Sequence, residues 1–212
     1  ESYACCMVYG SDRTGGIVGE NGWSMIRPDP EGSMIIRCYS AGIVSSTGTR
    51  SGGLVGKNGG GVILDSYSTS AIVGHSRVGG LVGENEDGDI NRSYSIGSVS
   101  GTENVGGFVG ALEDGPWEDG TIESSYWDTQ TSGQSTSTGG AGKTTAEMYQ
   151  QTTFENWDFD SVWWIDEGSD YPRFLWERGK TQDLLRMIER YREGRQDGES
   201  FLNFTQFWKT RR

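Results

Sequence analysis

The sequence predicts an all-β protein: a parallel β-solenoid of about five coils, with a period of about 27 residues, an aromatic C-terminal cap and a short α-helical tail. Three observations predict it. A Gly-Gly-apolar-Val-Gly element recurs, a small residue followed by Tyr recurs between its copies, and 34 of the 212 residues are glycine. Because glycine, valine and serine disfavour helices, a helical repeat is excluded for residues 1–126.

Two elements define the repeat. The Gly-rich element starts at Gly15, Gly52, Gly79 and Gly106, at spacings of 37, 27 and 27 residues. The tyrosine element contributes Tyr3, Tyr39, Tyr67, Tyr94 and Tyr126. All variation in repeat length lies between a Gly-rich element and the next tyrosine, so one loop of each coil absorbs it.

Apolar residues form three columns when the repeats are aligned. The columns are Ile17, Leu54, Leu81, Phe108; then Ile35, Ile63, Ile90, Ile122; then Val8, Val44, Ile72, Val99. Short strands bearing one apolar column each can share a thin core if every strand pairs with its equivalent one coil on, at ~4.8 Å. A further column, Asn21, Asn58 and Asn85, predicts a ladder of side-chain amides that ends at Leu112.

Charge and composition divide the chain into three predicted parts: repeats over 1–130, a cap over 131–176 and a basic amphipathic helical tail over 177–212. Residues 1–176 hold nine Lys and Arg against 24 Asp and Glu, a net charge of −15, whereas residues 177–212 hold nine against six, a net charge of +3. The acidic part repels phosphate backbones, which excludes nucleic acid as its partner.

Eleven aromatic residues crowd residues 126–176. We expect them to cover the open end of the solenoid, where apolar core and unpaired strand edges would otherwise be exposed. The other interpretation is a platform on which sugar rings stack. Its candidate ligand-binding residues are Trp127, Trp157, Trp163 and Trp164.

The tail has helical periodicity at Leu184, Ile188 and Tyr191. We expect its apolar stripe to dock on the chain's own acidic body. The alternative is that the stripe and its arginines address a membrane surface or an acidic partner.

Acidic residues cluster in the loops 84–89 and 113–119. Glu84, Asp87 and Asp89 are candidate Ca²⁺ ligands because Ca²⁺ prefers carboxylate oxygens, although neither loop has EF-hand spacing. The other interpretation is solvated charge that blocks edge pairing. Paired carboxylates could also serve polysaccharide cleavage.

The sequence gives little support for a catalytic, metal-binding or nucleotide-binding site. His75 is the only histidine, Cys5, Cys6 and Cys38 show no CxxC spacing, and no apolar run is long enough to span a membrane. The run Gly139–Thr144 lacks a glycine of the phosphate-binding pattern and a preceding hydrophobic strand, so no nucleotide site is expected. Thr144 and Glu147 instead predict a capping box opening a short helix through Gln151. We expect no catalytic residue and no cofactor.

The stretches GGLVGKN and GGLVGENEDG, each followed by SYS, resemble the GLUG motif, a bacterial repeat of large secreted or surface-displayed proteins that include filamentous adhesins and IgA-specific metallopeptidases. The segment from Ser125 to about Leu175 resembles the sequence that commonly follows the last GLUG repeat. The likeness covers roughly residues 1–176. It implies an extracellular or cell-surface bacterial location and an architecture without catalytic residues of its own.

These observations predict a non-enzymatic surface or secreted repeat module, an adhesin-like or spacer scaffold. The alternatives are a carbohydrate-binding module that uses the cap aromatics and a polysaccharide-cleaving solenoid enzyme. Because the chain begins at Glu1 without a leader, we expect the rest of a longer polypeptide as its first partner. A host or cell-surface glycan or protein is the second, and no transmembrane segment is expected.

Overall fold

The computed structural model describes residues 2–22, 33–115 and 120–178. The first loop, at 23–32, and almost all of the predicted tail lie outside the described residues. The chain forms two compact units. The described part of the first contains residues 2–22, 33–115, 120–158 and 165–171, and that of the second contains residues 159–164 and 172–178. The predicted boundaries at 130 and 176 stay predictions.

Two four-stranded parallel sheets run through the first unit. The glycine sheet contains β2 (Val18–Gly22), β5 (Val55–Gly59), β10 (Val82–Glu86) and β15 (Val109–Glu113). The isoleucine sheet contains β3 (Met34–Ile36), β6 (Val62–Leu64), β11 (Asp89–Asn91) and β16 (Ile122–Glu123). Each strand pairs with the equivalent strand of the next repeat.

A third parallel sheet, the tyrosine sheet, has ten strands. It begins with β1 (Ser2–Gly15) and β4 (Cys38–Gly52), then continues with β7 (Tyr67–Ser68), β8 (Ala71–Val73), β9 (Ser76–Gly79), β12 (Tyr94–Ser95), β13 (Val99–Ser100), β14 (Glu103–Gly106), β17 (Tyr126–Asp128) and β18 (Ala141–Lys143). The expectation of a mostly β fold with parallel strand pairing is therefore confirmed.

Strand register follows the sequence columns. Ile63 pairs with Ile35 and Ile90, and Ile90 pairs with Ile122. Tyr39 pairs with Tyr3 and Tyr67 in the tyrosine sheet. The repeats thus stack directly, each residue upon its equivalent.

The double glycine reflects close backbone approach. A β-carbon on Gly79 would overlap the Val82 carbonyl oxygen within the same turn. A β-carbon on Gly80 would overlap the Gly107 carbonyl oxygen of the next repeat and approach the Ser95 hydroxyl. The first glycine therefore permits the turn, and the second permits the stacking.

Left-handed backbone recurs at two further corners, on residues other than glycine. The first corner holds Arg13, Arg50, Arg77 and Asn104, with φ between 48° and 64°. The second corner holds Arg37, Asp65, Arg92 and Ser124, with φ between 45° and 52°. The sequence does not indicate these corners, because glycine, the usual residue of a left-handed turn, is absent from both and asparagine is present only at Asn104.

The core is thin. Leu54, Leu81 and Phe108 are fully buried, as predicted, and share one cluster with Ile63 and Ile90. Ile122, at the end of its column, is only partly buried against that cluster. A second cluster contains Val44, Ile72, Val78 and Val99, with Val105 packed against it.

Short helices follow the last repeat: α1 (Thr129–Ser132), α2 (Thr145–Met148) and a 3₁₀ helix (Gln151–Thr153). The predicted capping box is confirmed, since the Thr144 hydroxyl accepts from the Glu147 N–H while the Glu147 carboxylate accepts from the Thr144 N–H. The hydrogen bonds that the N–H and the hydroxyl of Thr144 donate to the Glu147 carboxylate lower the pKa of Glu147. The predicted end of the helix at Gln151 is wrong, since α2 ends at Met148.

The second unit contains an antiparallel pair, β19 (Trp163–Trp164) and β20 (Arg173–Phe174). Trp163 and Phe174 are fully buried and their ring centroids lie 4.5 Å apart. Trp176 stacks on the same Phe174 at 5.5 Å, so this unit is held by aromatic packing.

Candidate functional site

An asparagine ladder runs through the glycine sheet. Asn21 Nδ2 donates to Asn58 Oδ1, and Asn58 Nδ2 donates to Asn85 Oδ1, both over 2.8 Å. Asn58 and Asn85 also donate to the carbonyl oxygens of Gly61 and Gly88. The three amides are buried, where an amide without partners would be destabilising. The ladder predicted from sequence is confirmed, and the repeats satisfy it only when stacked.

The ladder stops at Leu112, as predicted. Leu112 pairs with Asn85 in the strand register, and it is 48% exposed. The last repeat of the glycine sheet therefore presents a hydrocarbon side chain where the preceding repeats present an amide.

The tyrosines form a second column between repeats, the tyrosine column. Tyr3, Tyr39, Tyr67 and Tyr94 stack ring on ring, with centroid separations of 5.2, 4.8 and 4.9 Å and interplanar angles of 8°, 5° and 7°. Tyr67 and Tyr94 are fully buried. The sequence pattern does not show which face of the strand carries these tyrosine side chains. In the structure their rings pack between successive repeats.

The small residue before each tyrosine has its own role. The N–H of Ser66 donates to the Ser93 hydroxyl and the N–H of Ser93 donates to the Ser125 hydroxyl, each over 3.2 Å. Each of these hydroxyls donates in turn to the carbonyl oxygen two residues before it. Serine therefore joins each repeat to the next by side-chain hydrogen bonds, a function that its small size alone did not indicate.

Glu84 is the centre of an ionic network. The Glu84 carboxylate is 2% exposed and accepts from Arg50 Nε over 2.9 Å and from Arg77 Nη1 over 2.5 Å. Lys57 Nζ lies 3.6 Å from the same carboxylate. The hydrogen bond to Glu84 raises the pKa of Arg50. Arg50 and Arg77 occupy the first left-handed corner in successive repeats, so their strained backbone places two cations on one buried anion.

This network extends to the first repeat through Asp12. Arg50 Nη1 lies 3.3 Å from Asp12 Oδ1, and the Thr49 hydroxyl donates to that oxygen over 2.7 Å. The Thr49 hydrogen bond, followed by the Arg50 charge, lowers the pKa of Asp12.

The candidate Ca²⁺ ligands lie in different environments. Binding Ca²⁺ at Glu84 would require displacing two arginines. Asp87 accepts from the Gly115 N–H, and Asp89 accepts from the N–H and hydroxyl of Thr121, so both carboxylates join one loop to the next repeat. Across residues 2–22, 33–115 and 120–178, no group of three or more acidic, histidine or cysteine side chains is placed to hold a metal ion.

The far end of the first unit is closed by Trp127. Trp127 pairs with Ser95, which places its ring where earlier repeats carry serine. The ring is buried in the main core cluster, and a β-carbon on Gly107 would overlap it. Ser137 then accepts at its hydroxyl from the N–H groups of Phe108 and Val109. The Trp127 indole thus covers the core of the last repeat, and the Ser137 hydroxyl accepts hydrogen bonds from its backbone N–H groups.

The Asp128 carboxylate connects three segments by hydrogen bonds: α1, the start of α2 at Thr145, and Tyr171. This carboxylate is fully buried and accepts from the N–H groups of Gln130 and Thr131, which caps α1. It also accepts from the Thr145 hydroxyl and the Tyr171 hydroxyl, each over 2.7 Å. Burial, with the hydrogen bond to Asp128 second, raises the pKa of Tyr171. Sequence reasoning missed this group because Asp128 and Tyr171 are 43 residues apart.

A groove of about 430 Å³ lies beside the last tyrosine strand, β17, between residues 122–126 and residues 140–155. It is lined by Ile122, Ser124, Ser125, Tyr126, Gly140, Ala141, Lys143, Thr153 and Glu155. Lys143 Nζ lies 6.0 Å from the centre of the Tyr126 ring, and the Tyr126 hydroxyl accepts from the Glu155 N–H. The lining offers one cation, one carboxylate and several hydroxyls, which suits a small polar ligand and provides no histidine or cysteine for nucleophilic catalysis.

The candidate sugar-stacking tryptophans are mostly buried. In the first unit, Trp127 is 3% and Trp157 is 8% exposed, and Trp157 Nε1 donates to the Ser124 carbonyl oxygen. In the second unit, Trp163 is fully buried and Trp164 is half-buried beneath the Arg178 guanidinium, 5.7 Å from its ring centre. A sugar could reach Trp127, Trp157 or Trp163 only after local unfolding.

The other residues considered in the sequence, namely His75, Lys143 and the three cysteines, lie in or beside strands. The His75 carbonyl oxygen accepts from Thr102 and Glu103, and its side chain is exposed. Lys143 lies in β18, a strand rather than a phosphate-binding loop. Cys5 and Cys6 are exposed, Cys38 is buried, and all three are free thiols.

The geometry defines a class, a β-sheet repeat protein whose equivalent residues stack from one repeat to the next. The model of the GLUG motif matches residues 74–100, which run from the residue after β8 to the end of β13. The chain therefore carries a GLUG motif, and the resemblance found in the sequence is confirmed.

The chain has two further likenesses. The chain is 47% identical over 55 residues to a protein of Evansella cellulosilytica described as a candidate Gly-rich membrane protein, a match over 25% of this chain and 6% of that protein. A crystal structure of a candidate immunoglobulin A1 protease from Bacteroides ovatus matches with a TM-score of 0.59 at 18% identity, over 82% of this chain and 74% of that one. The second likeness concerns the fold alone.

No helix in the described ranges is both long and apolar enough to cross a membrane.

Proposed function

We propose that the chain is a non-enzymatic structural module of a bacterial surface or secreted protein, an adhesin-like or spacer scaffold. In this proposal it folds as a parallel β-solenoid of about five coils, counted by the five tyrosine elements. One observation carries it: the side chains that recur in every repeat are engaged by the next repeat. The asparagine ladder and the tyrosine column are its two clearest instances.

The absence of enzyme activity is supported by the groove. Glycoside cleavage needs two carboxylates facing one substrate bond at about 5 to 10 Å. The lining contributes a single carboxylate, from Glu155. The Ser124 and Ser125 hydroxyls make hydrogen bonds to Asn156 and to the Glu123 carbonyl oxygen, neither of which is a general base.

The surface location draws on the GLUG motif and on the relative described as a membrane protein. A spacer needs stiffness and length, and stacked repeats supply both because each contributes a fixed rise. An adhesin needs in addition a partner-binding surface, and here the groove beside Tyr126 is the candidate. Carbohydrate binding in that groove is the second candidate function, favoured by its hydroxyl-rich lining.

The scaffold proposal is tested by lengthening the stack. Inserting three more copies of residues 74–100 after Ser100 should extend the molecule by about 14 Å, three strand spacings. Small-angle X-ray scattering would measure this as a longer maximal dimension at unchanged cross-section. A matched chain with three copies of the same residues in scrambled order should not extend as a rod. Equal dimensions in the two chains would overturn the proposal.

The partner is tested on a glycan array with the intact chain. Binding that is lost on Lys143→Ala and kept on Lys57→Ala would favour the groove as a carbohydrate site. No binding would favour the spacer. Cleavage of a polysaccharide or of an immunoglobulin by the purified chain would overturn the non-enzymatic proposal.

A further inference from the structure

The asparagine ladder contains reactive dipeptides. Two of its three asparagines precede a glycine, as Asn21-Gly22 and Asn58-Gly59, whereas Asn85 precedes Glu86. The side-chain amide of an asparagine is open to attack by the backbone nitrogen of the following residue. The attack is fastest before glycine, which has no β-carbon to obstruct the approach and the freest backbone. The ladder therefore holds two asparagines of a type that loses its amide readily and one of a slower type.

The stacked structure holds the Asn58 amide at both of its polar atoms. Asn58 Oδ1 accepts from Asn21 Nδ2. Asn58 Nδ2 donates to Asn85 Oδ1 and, over 3.0 Å, to the Gly61 carbonyl oxygen, and the residue is fully buried in β5. Bonding of Asn58 Cγ to the Gly59 nitrogen would move Oδ1 and Nδ2 with it, so these hydrogen bonds must break first. Attack is thus opposed while the repeats on both sides stay stacked.

We propose that Asn58 is a deamidation site that reacts when the stack opens beside it, and that the reaction prevents the opened repeats from closing again. The Gly59 nitrogen bonds to Asn58 Cγ, the Cγ–Nδ2 bond breaks, and Nδ2 leaves as ammonia with the proton of the Gly59 N–H. Water then opens the five-membered imide at one of its two ring C–N bonds. The product at position 58 is an aspartate or an isoaspartate, formed without an oxidant or a reductant.

Neither product fits the ladder. A carboxylate at position 58 can accept from Asn21, but it cannot donate to Asn85 Oδ1 or to the Gly61 carbonyl oxygen. An isoaspartate in addition lengthens the main chain of β5 by one methylene, which displaces Gly59 from its register with Glu86. One opening of the stack is thereby recorded as a permanent covalent change in the chain.

The chain offers a matched variant at Gly59. Among the described residues, a β-carbon at this position would meet only the Lys57 Cε, at 3.5 Å, an ordinary van der Waals contact, and Gly59 has no positive φ. Gly59→Ala should therefore fold as the wild type does, while its methyl group obstructs the attack on Asn58. Gly22 is unsuitable for the same change, because a β-carbon there would lie 2.6 Å from the Gly59 carbonyl oxygen.

The site is tested by incubating the full chain at mildly alkaline pH, in buffer and in unfolding guanidinium chloride, and following amide loss by mass spectrometry of tryptic peptides. Cleavage after Arg77 separates Asn58 from Asn85. Asn58 should react at least about tenfold faster in the denaturant than in buffer, because the open state is the reactive one. In the denaturant, Asn58 should also outpace Asn85, and Gly59→Ala should remove that difference. Equal rates at Asn58 in the two solutions, or equal rates at Asn58 and Asn85 in the denaturant, would overturn the proposal.

The block on closure is tested on the same samples after the denaturant is removed. The deamidated share at position 58 should be several-fold lower in the folded fraction, collected by size exclusion, than in the aggregated one. Gly59→Ala, unfolded for the same time, should recover more folded protein than the wild type. Because Asn21 reacts in both chains, that difference reports on Asn58. An equal deamidated share in the two fractions would refute the block on closure.

Discussion

Asn58 donates to Asn85 and accepts from Asn21, at 2.8 Å on both sides, and so is hydrogen-bonded to the repeat before it and the repeat after it. An amide can do this because it carries a donor and an acceptor on the same short side chain. A carboxylate, which only accepts, cannot replace it.

Asn58→Asp should therefore destabilise the stack by about 2 to 4 kcal/mol, because a buried carboxylate would face the acceptor oxygens of Asn85 and Gly61. Urea unfolding followed by tryptophan fluorescence would measure the loss. Asn104→Asp, the same change at an exposed asparagine, is the control for the added charge. A loss in Asn58→Asp no larger than in that control would show that the ladder contributes little.

Leu112→Asn should stabilise the protein. Leu112 is the register partner of Asn85 and is half-exposed, so an asparagine there can accept from the second hydrogen of Asn85 Nδ2 at little cost in buried apolar area. One added hydrogen bond of this kind contributes about 1 kcal/mol. Leu112→Asp adds an acceptor with a charge and serves as comparison. A fall in the free energy of unfolding for Leu112→Asn would contradict the extension of the ladder.

Leu81→Asp should unfold the middle repeats. Leu81 is fully buried between Leu54 and Phe108, in a core one or two side chains wide, so an unpaired carboxylate there has no route to water. Leu112→Asp is the matched control, since the same change falls on a half-exposed leucine. An unchanged melting temperature in Leu81→Asp would show that the core is assigned to the wrong column.

High pH should weaken the contact between Tyr171 and Asp128. The pKa of Tyr171 is raised above 10.0, its ordinary value, so the neutral phenol stabilises the folded state fully below pH 10. That contribution is lost as pH rises beyond 10, because a phenolate would face the buried Asp128 carboxylate.

Stability measured against pH should thus fall above pH 10 in the wild type and fall less steeply in Tyr171→Phe. Ultraviolet difference spectra would follow the phenolate directly. If Tyr171→Phe and the wild type lose stability in parallel, the hydroxyl of Tyr171 does not couple the fold to pH.

Truncation after Asp128 should produce aggregation. It removes Ser137, Thr145 and Tyr171, which satisfy the last repeat and the Asp128 carboxylate. It also leaves a strand edge exposed. Size exclusion with light scattering would report aggregates or oligomers, whereas a chain ending at Trp176 should behave as the wild type. A folded, non-aggregating truncation would remove the capping role.

The sequence allowed prediction of those structural features whose residues recur at the repeat spacing. The glycine pairs, the apolar columns and the asparagine ladder could be found because identical residues recur at one spacing. The left-handed corners could not, because Arg13, Arg50 and Arg77 recur at that spacing but arginine does not ordinarily mark a positive φ.

Glu84 illustrates a second reason why the sequence does not predict a contact. The sequence pattern predicts a loop carboxylate open to solvent or Ca²⁺, but Glu84 is buried between Arg50, 34 residues before it, and Arg77, 7 residues before it. Only the stacking of corners brings those cations together. The Asp128 group was missed for the same reason, because a contact between single residues at long separation leaves no periodic signal.

The left-handed corners have a consequence for how the molecule can come apart. A residue other than glycine held at positive φ is strained by about 1 kcal/mol or more, and each complete repeat carries at least two of them. A lone repeat would have to bear that strain without a neighbour, so a repeat can persist only next to another. Unfolding is then expected to begin at one end of the stack and to proceed inward one repeat at a time. The 27-residue unit is therefore a unit of sequence and not a unit that is expected to fold alone.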